Sequence, residues 1–497
     1  MKKTLLILAL VTMFFPRLFA QERFGMCTGM YAGISSEYIN PSLLAATPFR
    51  WDLNIIGGQF YFDNNYLYLN TNLPNYIKTS NNGNGNVMVD NAYNRGQGVS
   101  DPFKIEDISG NSFRKTINMN LMLLGPSLMV NVKKWTFAFS TDMRFAMSEV
   151  GFTSDGAKLL YEGLTYTPIQ QKDIDVKGLR INGMEWHEYG FTAARIIKKV
   201  GDNVIKGGVT LRFLKSYTGF YANCKDLHLF VPNDTDLYVK NLDLKYGYAP
   251  EQGQFLNSKD SVTGVSDIIK SRGSGLSMDL GITIERKKLA KEYQCPNFCN
   301  KKLELQYQWK LGLSLIDIGY VHYKDYARTY EFSDKSDYWS NFNKLQIHHV
   351  VAGVDTTLST HFLGSDPLVQ GTDFTMLTPW ALSAQFDYNI GYNFYVNATW
   401  VQRIPHFGLP GVDRTDVLAI TPRYEIRRIG IAMPIVLYDY YLPRIGLAVR
   451  LDNFLTVGTD KLGTLIGSRT SGADFYVAVK INVLKKCPKE NKSSITL

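Results

Sequence analysis

Two adjacent pairs in this 497-residue chain have the residue types that acid–base or metal chemistry needs: His187-Glu188 and His348-His349. The first pair lies beside Trp186 in a stretch of alternating polarity. Neighbours on a strand point to opposite faces, so that histidine and carboxylate cannot meet as a dyad. A lone His pair in a loop insert falls short of a metal-ligand set. Neither Gly-x-Ser-x-Gly nor His-Glu-x-x-His occurs. The Gly-Asn-Gly within residues 80–86 lacks the Lys-Ser/Thr ending and the following helix of a phosphate loop. The expectation is therefore no catalytic residue, no metal site and no cofactor.

Cysteine chemistry is limited. The five cysteines, Cys27, Cys224, Cys295, Cys299 and Cys487, are odd in number, so they cannot all pair internally. Cys295 and Cys299 share the short loop CPNFC, where a small-loop disulfide and two unpaired thiols are both open readings. With no histidine nearby, the two cannot fill zinc's four positions.

A third set of chemistry-bearing residues lies inside alternating stretches: Asp142, Arg144, Asp279, Lys310, Arg450 and Lys480. The element that positions the first two is Trp135 to Ser148. Trp135, Phe137, Phe139, Thr141, Met143, Phe145 and Met147 share one face; Thr136, Ala138, Ser140, Asp142, Arg144, Ala146 and Ser148 share the other. Period-two alternation is the mark of a strand. A membrane-crossing strand needs roughly 9–11 residues, and this stretch exceeds that. Leu276 to Glu285 repeats the pattern, as does Leu303 to Leu315. The six charges are expected to line the interior of a barrel, with Asp142 and Arg144 close enough to pair.

Residues 1–20 read as a leader: Lys2 and Lys3, an apolar run from Leu5 to Phe15, and Ala20 before the cut. No other window is apolar for eighteen residues. Charge is +9, from 54 basic and 45 acidic residues spread along the chain, which argues against a clustered nucleic-acid surface. Tyr (30) and Phe (28) far outnumber Trp (7), a usage that favours strands. Together these features predict an all-β, closed antiparallel transmembrane β-barrel in a Gram-negative outer membrane. The expected layout is leader 1–20, lead-in or plug 21–50, barrel 51–484 and polar tail 485–497. In the lead-in, Asn40 is placed to cap a short helix that begins at Pro41.

About fifteen stretches qualify as strands, among them Tyr66–Leu73 paired with Asp52–Phe62, Asp236–Tyr248, and a single strand from Arg444 to Val457. A closed barrel needs an even number, so fourteen is expected, with residues 319–332 as a candidate addition. Long inserts at 74–114, 150–183 and 325–370 interrupt the rhythm, with loop helices predicted near Asp155–Leu164 and Tyr338–His349. Which loops face outside is not fixed by this count.

Pro443 to Gly467, followed by Gly472 to Val483, resembles the last hairpin of a group of bacterial outer-membrane β-barrels whose domain has no known function. Ile39 to Ala45, INPSLLA, resembles the Asn-Pro-Ala segment of that group and of fatty-acid-transporter-like and gliding- or secretion-associated barrels, with Ser42 in place of Ala. The resemblance implies about fourteen strands and an N-terminal plug, and supplies no activity. Two functions follow as expectations. The first is a channel for small substrates, hydrophobic ones included, gated by residues 21–50, with an apolar pocket near the plug. The alternative is a structural or assembly barrel with a filled lumen, whose long loops bind protein partners. Outer-membrane lipid is the expected surrounding; oligomeric state is open.

Overall fold

The computed structural model describes residues 23–25, 27–45, 47–65, 67–69, 72–75, 103–105, 115–249, 271–287, 307–342, 352–364, 369–440, 443–467 and 470–485. Residues 1–20, Cys295, Cys299, Cys487, His348 and His349 lie outside them.

Strands are numbered in chain order. The barrel begins with β1 (Phe49–Asn64), skips the short β2 (Leu67–Leu69) and β3 (Phe103–Ile105), and continues with β4 (Lys115–Leu124), β5 (Ser127–Val132), β6 (Trp135–Phe152), β7 (Lys172–Val200) and β8 (Asn203–Val231). After β9 (Leu237–Ala249) come β10 (Gly273–Lys287) and β11 (Tyr307–Tyr323). After β12 (Arg328–Trp339) come β13 (Phe374–Leu377), β14 (Ala381–Gly391), β15 (Phe394–Arg403), β16 (Val417–Glu425), β17 (Ile429–Ala432) and β18 (Ile435–Tyr438). The last are β19 (Pro443–Ile445), β20 (Leu447–Leu451), β21 (Leu455–Thr459) and β22 (Gly472–Leu484).

All pairings in the barrel are antiparallel, and β1 pairs with β22 from Phe49↔Leu484 to Asp63↔Gly472, which closes the sheet. Four staves are each broken into two pieces: β4/β5, β13/β14, β17/β18 and β19/β20. Among the described residues this makes fourteen staves.

The strand arithmetic is corrected in three places. Leu67–Leu69 pairs with Phe103–Ile105 in a separate sheet, not with β1. The stretch read as Asp236–Tyr248 is β9, which lies outside the barrel. The stretch read as Arg444–Val457 is two staves, because Asp452 and Asn453 adopt φ of +46° and +55°, the left-handed pair of a tight hairpin turn.

Barrel strands keep apolar side chains on the outside: Phe137, Phe191, Phe213, Leu276 and Leu313 are 47–55% exposed. Monomeric soluble proteins rarely present a continuous apolar belt of this kind, and it suits hydrocarbon. The inward face is polar. Fourteen staves enclose more space than side chains alone can fill, since eight already give an interior that side chains just occupy. Two stretches of chain fold into the remaining space, the described residues of 23–47 and the β15–β16 connection.

Short turns gather on one rim: 133–134, 201–202, 392–393, 426–428 and 452–454, together with the start of β1 and the end of β22. The longer β10–β11 connection, 288–306, also leaves from this rim and lies outside the described residues. The other long connections, from 65–114 onward, leave from the opposite rim, including all three inserts read from the sequence.

On the long-loop rim, β7 and β8 run on to 29 residues each, far beyond the roughly 9–11 that a membrane needs. Residues 172–183, expected as loop, are therefore strand. Gly151 (φ +115°) and Gly178 (φ +67°) mark where β6 stops and β7 continues, in a backbone region that glycine enters freely. The extension continues through β9 on β8 and β12 on β9. Helices α1 (Ser154–Glu162) and α2 (Ala352–Leu363) flank it. Its own apolar core includes Ile174, Val176, Leu229, Val239, Phe332 and Trp339. The helix expected over Tyr338–His349 is corrected: Tyr338 and Trp339 end β12, and the helix starts at Ala352.

Candidate functional site

The interior is organised around Arg23–Thr47. Asn40 is the N-cap of a 3-10 turn, Pro41–Leu44, and accepts from Ser42 N at 3.0 Å and Ser42 Oγ at 2.6 Å. Its Nδ2 reaches Gln385 Oε1 on β14 at 2.9 Å and the carbonyls of Ile282 (β10) and Leu313 (β11) at 3.4 Å. This close approach depends on bare backbone in the wall. A Cβ on Gly208 would stand 2.5 Å from Pro41 C and Ser42 N; one on Gly281 would stand 2.1 Å from Asn40 Oδ1. At Gly312 it would meet Asn40 Nδ2 at 2.8 Å. Three inward glycines on β8, β10 and β11 thus form a floor for Asn40-Pro41-Ser42.

The rest of the segment is tied to opposite walls. Ile34 N donates to Asp52 Oδ2 (β1) at 2.9 Å, and Lys480 Nζ (β22) donates to Ala32 O at 2.7 Å. Ser314 Oγ donates to Ile39 O at 2.6 Å, and Lys310 Nζ donates to Thr28 O. Met30 N donates to Glu425 Oε2 at 3.2 Å. Phe24, Ile34, Ile39 and Leu44 are buried as apolar anchors.

Mid-lumen, a charged network joins the walls. Arg144 grips Asp317 with two nitrogens, at 2.8 and 3.0 Å. Such forked pairs are among the stronger charge-assisted contacts. Arg212 pairs with Asp279, and its Nε lies 3.5 Å from Glu188. Trp186 Nε1 donates to Glu188 at 3.0 Å. Asp317 points inward because β11 bulges there: Ile316 and Asp317 together oppose Asp279, with Asp317 at φ +56°. Its amide N–H donates to Asp279 Oδ1 at 2.7 Å.

The second inward stretch meets this network from the long-loop rim. In the β15–β16 connection, Val412 is buried and Asp413 N donates to Ser148 Oγ at 2.9 Å. Arg414 Nη1 reaches Asp317 Oδ2 at 2.7 Å. From the other side, Tyr38 OH donates to Asp142 Oδ2 at 2.7 Å and Thr192 Oγ1 to Glu37 at 3.2 Å. Both inner stretches therefore end on one set of buried charges. Two small cavities flank them, about 20 Å³ beside Arg144 and Arg414 and about 10 Å³ beside Glu425 and Lys480. Each has room for about one water.

The six charges expected in the lumen are all buried there, but their partners differ from the expected ones. Asp142 and Arg144 do not pair with each other; the first holds Tyr38 and the second Asp317. Asp279 holds Arg212, and Lys310 lies 3.4 Å from Asp387. Lys480 reaches Ala32 O and stands 3.7 Å from Asp52. Arg450 turns to the short-turn rim, donating to Ile426 O at 2.9 Å and lying 4.6 Å over Tyr31. Glu188 is buried inside, while His187 packs outside against Tyr217. Among the described residues no group of three His, Cys, Asp or Glu could hold a metal. The sequence reading did not single out Arg212, Asp317, Arg414, Asp387 or Arg423. The last two pair at 2.6 Å and sit on polar strand faces, where alternation could have exposed them.

The fold and interior define a closed β-barrel of outer-membrane type, carrying its own N-terminal stretch inside. The chain belongs to the family of unknown function DUF5723, whose sequence model matches residues 41–460. No curated protein matches the chain significantly. Among solved structures it is similar to the TodX deltaS2S3 mutant monoaromatic hydrocarbon channel, with 9% identity over 92% of this chain and 95% of that one, at a TM-score of 0.38. A Pseudomonas aeruginosa FadL homologue shares 10% identity over 94% and 99%, at 0.29. The Escherichia coli outer membrane protease OmpT shares 5% over 88% and 98%, at 0.22.

Proposed function

We propose that the protein is an outer-membrane channel closed by residues 23–47, which open the lumen when displaced. The observation that carries this reading is the seating of Asn40-Pro41-Ser42 on Gly208, Gly281 and Gly312, with Gln385 and Thr283 as hydrogen-bond partners. Neutral hydrogen bonds such as Asn40 to Gln385 are worth only about 0.5–1.5 kcal/mol net each, because water replaces them when the segment leaves. The wall behind it carries Asp52, Asp142, Arg212, Asp279, Lys310 and Asp387, a lining that suits a small hydrophilic solute. The short-turn rim would face the periplasm, as is usual for such barrels.

Single-channel recording in planar bilayers tests this. The full protein should be nearly silent, and the protein lacking residues 23–47 should conduct. Silence in both, with the barrel folded, would remove the channel reading. A second reading, a barrel that docks protein partners, is favoured by the separately cored extension on the long-loop rim. It would then take precedence.

A further inference from the structure

The outer wall directly behind Asn40 and Pro41 carries a groove of about 600 Å³. Its floor is strand backbone at Gly207, Gly208 and Gly281, and Ala193, Ile282 and Leu313 form its sides. Gly208 and Gly281 are needed by the inner segment, but Gly207 is not. It faces outward, and a Cβ there would meet Ile197 Cδ1 at 2.7 Å, the far end of a flexible side chain. Packing does not demand glycine at 207; its effect is to deepen the groove.

The groove begins at the short-turn rim and climbs the wall. Trp135, which follows the Lys133-Lys134 turn, pairs in register with Arg195, whose guanidinium stands 4.9 Å from the indole. At the other end Leu382 sits beside Leu315, near the start of β14 and far from the rim. Around the mouth Lys133, Lys134, Lys198 and Lys199 are exposed, with Asp202 the acid among them.

We infer that this groove holds one glycerophospholipid of the leaflet on the short-turn side. One acyl chain lies along Gly207, and the phosphate sits at Arg195. A volume of this size falls within the ~300–1,000 Å³ of small-ligand sites. The groove opens sideways onto hydrocarbon, so a purely apolar occupant would gain little over bulk lipid tails. Selective retention needs a headgroup contact, and the cations at the mouth match a phosphate. The inference rests on the barrel standing in a bilayer and is independent of whether residues 23–47 gate it.

Native mass spectrometry of the detergent-extracted protein tests it, with phosphatidylglycerol, phosphatidylethanolamine, lipid A and palmitate added in separate arms. The expected result is a single retained adduct of either glycerophospholipid. Ala193→Phe, which fills the groove, and Arg195→Gln, which removes an exposed cation, should each lower retention about tenfold, the factor that one charge-assisted contact carries. Val457→Phe, outward on β21 and away from the groove, should leave it unchanged. The fraction of each variant that keeps its unheated gel mobility reports folding, and Arg195→Gln, altered only at the surface, keeps the test open if Ala193→Phe fails to fold. Retention unaffected by both groove variants, equal loss in Val457→Phe, or preference for lipid A or palmitate would each overturn the inference.

Discussion

At Gly208, one hydrogen in place of a methyl lets the inner segment reach the wall. The three nearest atoms that a Cβ would strike belong to the backbone of Pro41 and Ser42, so no rotamer change relieves the clash. Gly208→Ala should therefore unseat the segment by about 1–3 kcal/mol, the usual cost of overpacking, and raise conductance in bilayers. Gly207→Ala, one residue away on the outer face, should leave conductance unchanged. Residues of this kind were only half legible. Asn40 and Pro41 announce a capped turn by type alone, and Asp142, Asp279 and Lys310 announce an inward face by alternation. Their partners do not follow, because Arg144 and Asp317 are 173 positions apart and Asp317 turns inward only through a bulge. The glycine floor has no local signature, since Gly208, Gly281 and Gly312 are ordinary until a second chain segment lies against them.

At the scale of elements, the extension and the barrel have separate cores. Phe332→Ala, in the extension, should cost that unit about 3–5 kcal/mol while the barrel keeps its unheated gel mobility; protease sensitivity confined to the extension checks this. Asp236, in the β8–β9 turn, sets a pH limit on the same unit. Hydrogen bonds from Asn233 (3.0 Å), the Asn341 amide (2.9 Å) and Tyr338 OH (2.8 Å) hold its carboxyl down at about 2. A depressed folded value means that its support is complete above the ordinary carboxylate value and is lost as pH falls through about 2. Pepsin digestion should accordingly spare the turn near pH 4 and cut it near pH 2. The extension was hidden in the sequence because β9 reads like any barrel strand and most of β12 falls in a stretch that reads as a loop insert. Membership in barrel or extension is decided by which neighbour a strand meets, and periodicity is silent on that. The barrel staves were legible wherever Leu276, Met278, Leu280 and Ile282 could alternate against polar neighbours.

At the scale of the whole molecule, the strands that seal the cylinder come from opposite ends of the polypeptide, β1 and β22. Both hold the same few inner residues: Asp52 of β1 takes the Ile34 amide, and Lys480 of β22 takes the Ala32 carbonyl. The inner stretch therefore spans the seam that these two strands close. Lys480→Met should slow the appearance of the heat-modifiable form in vesicle refolding while leaving its final yield close to wild type. Closing the cylinder and stopping its bore would then be one event, so a newly inserted copy would never spend time as an open hole in the envelope.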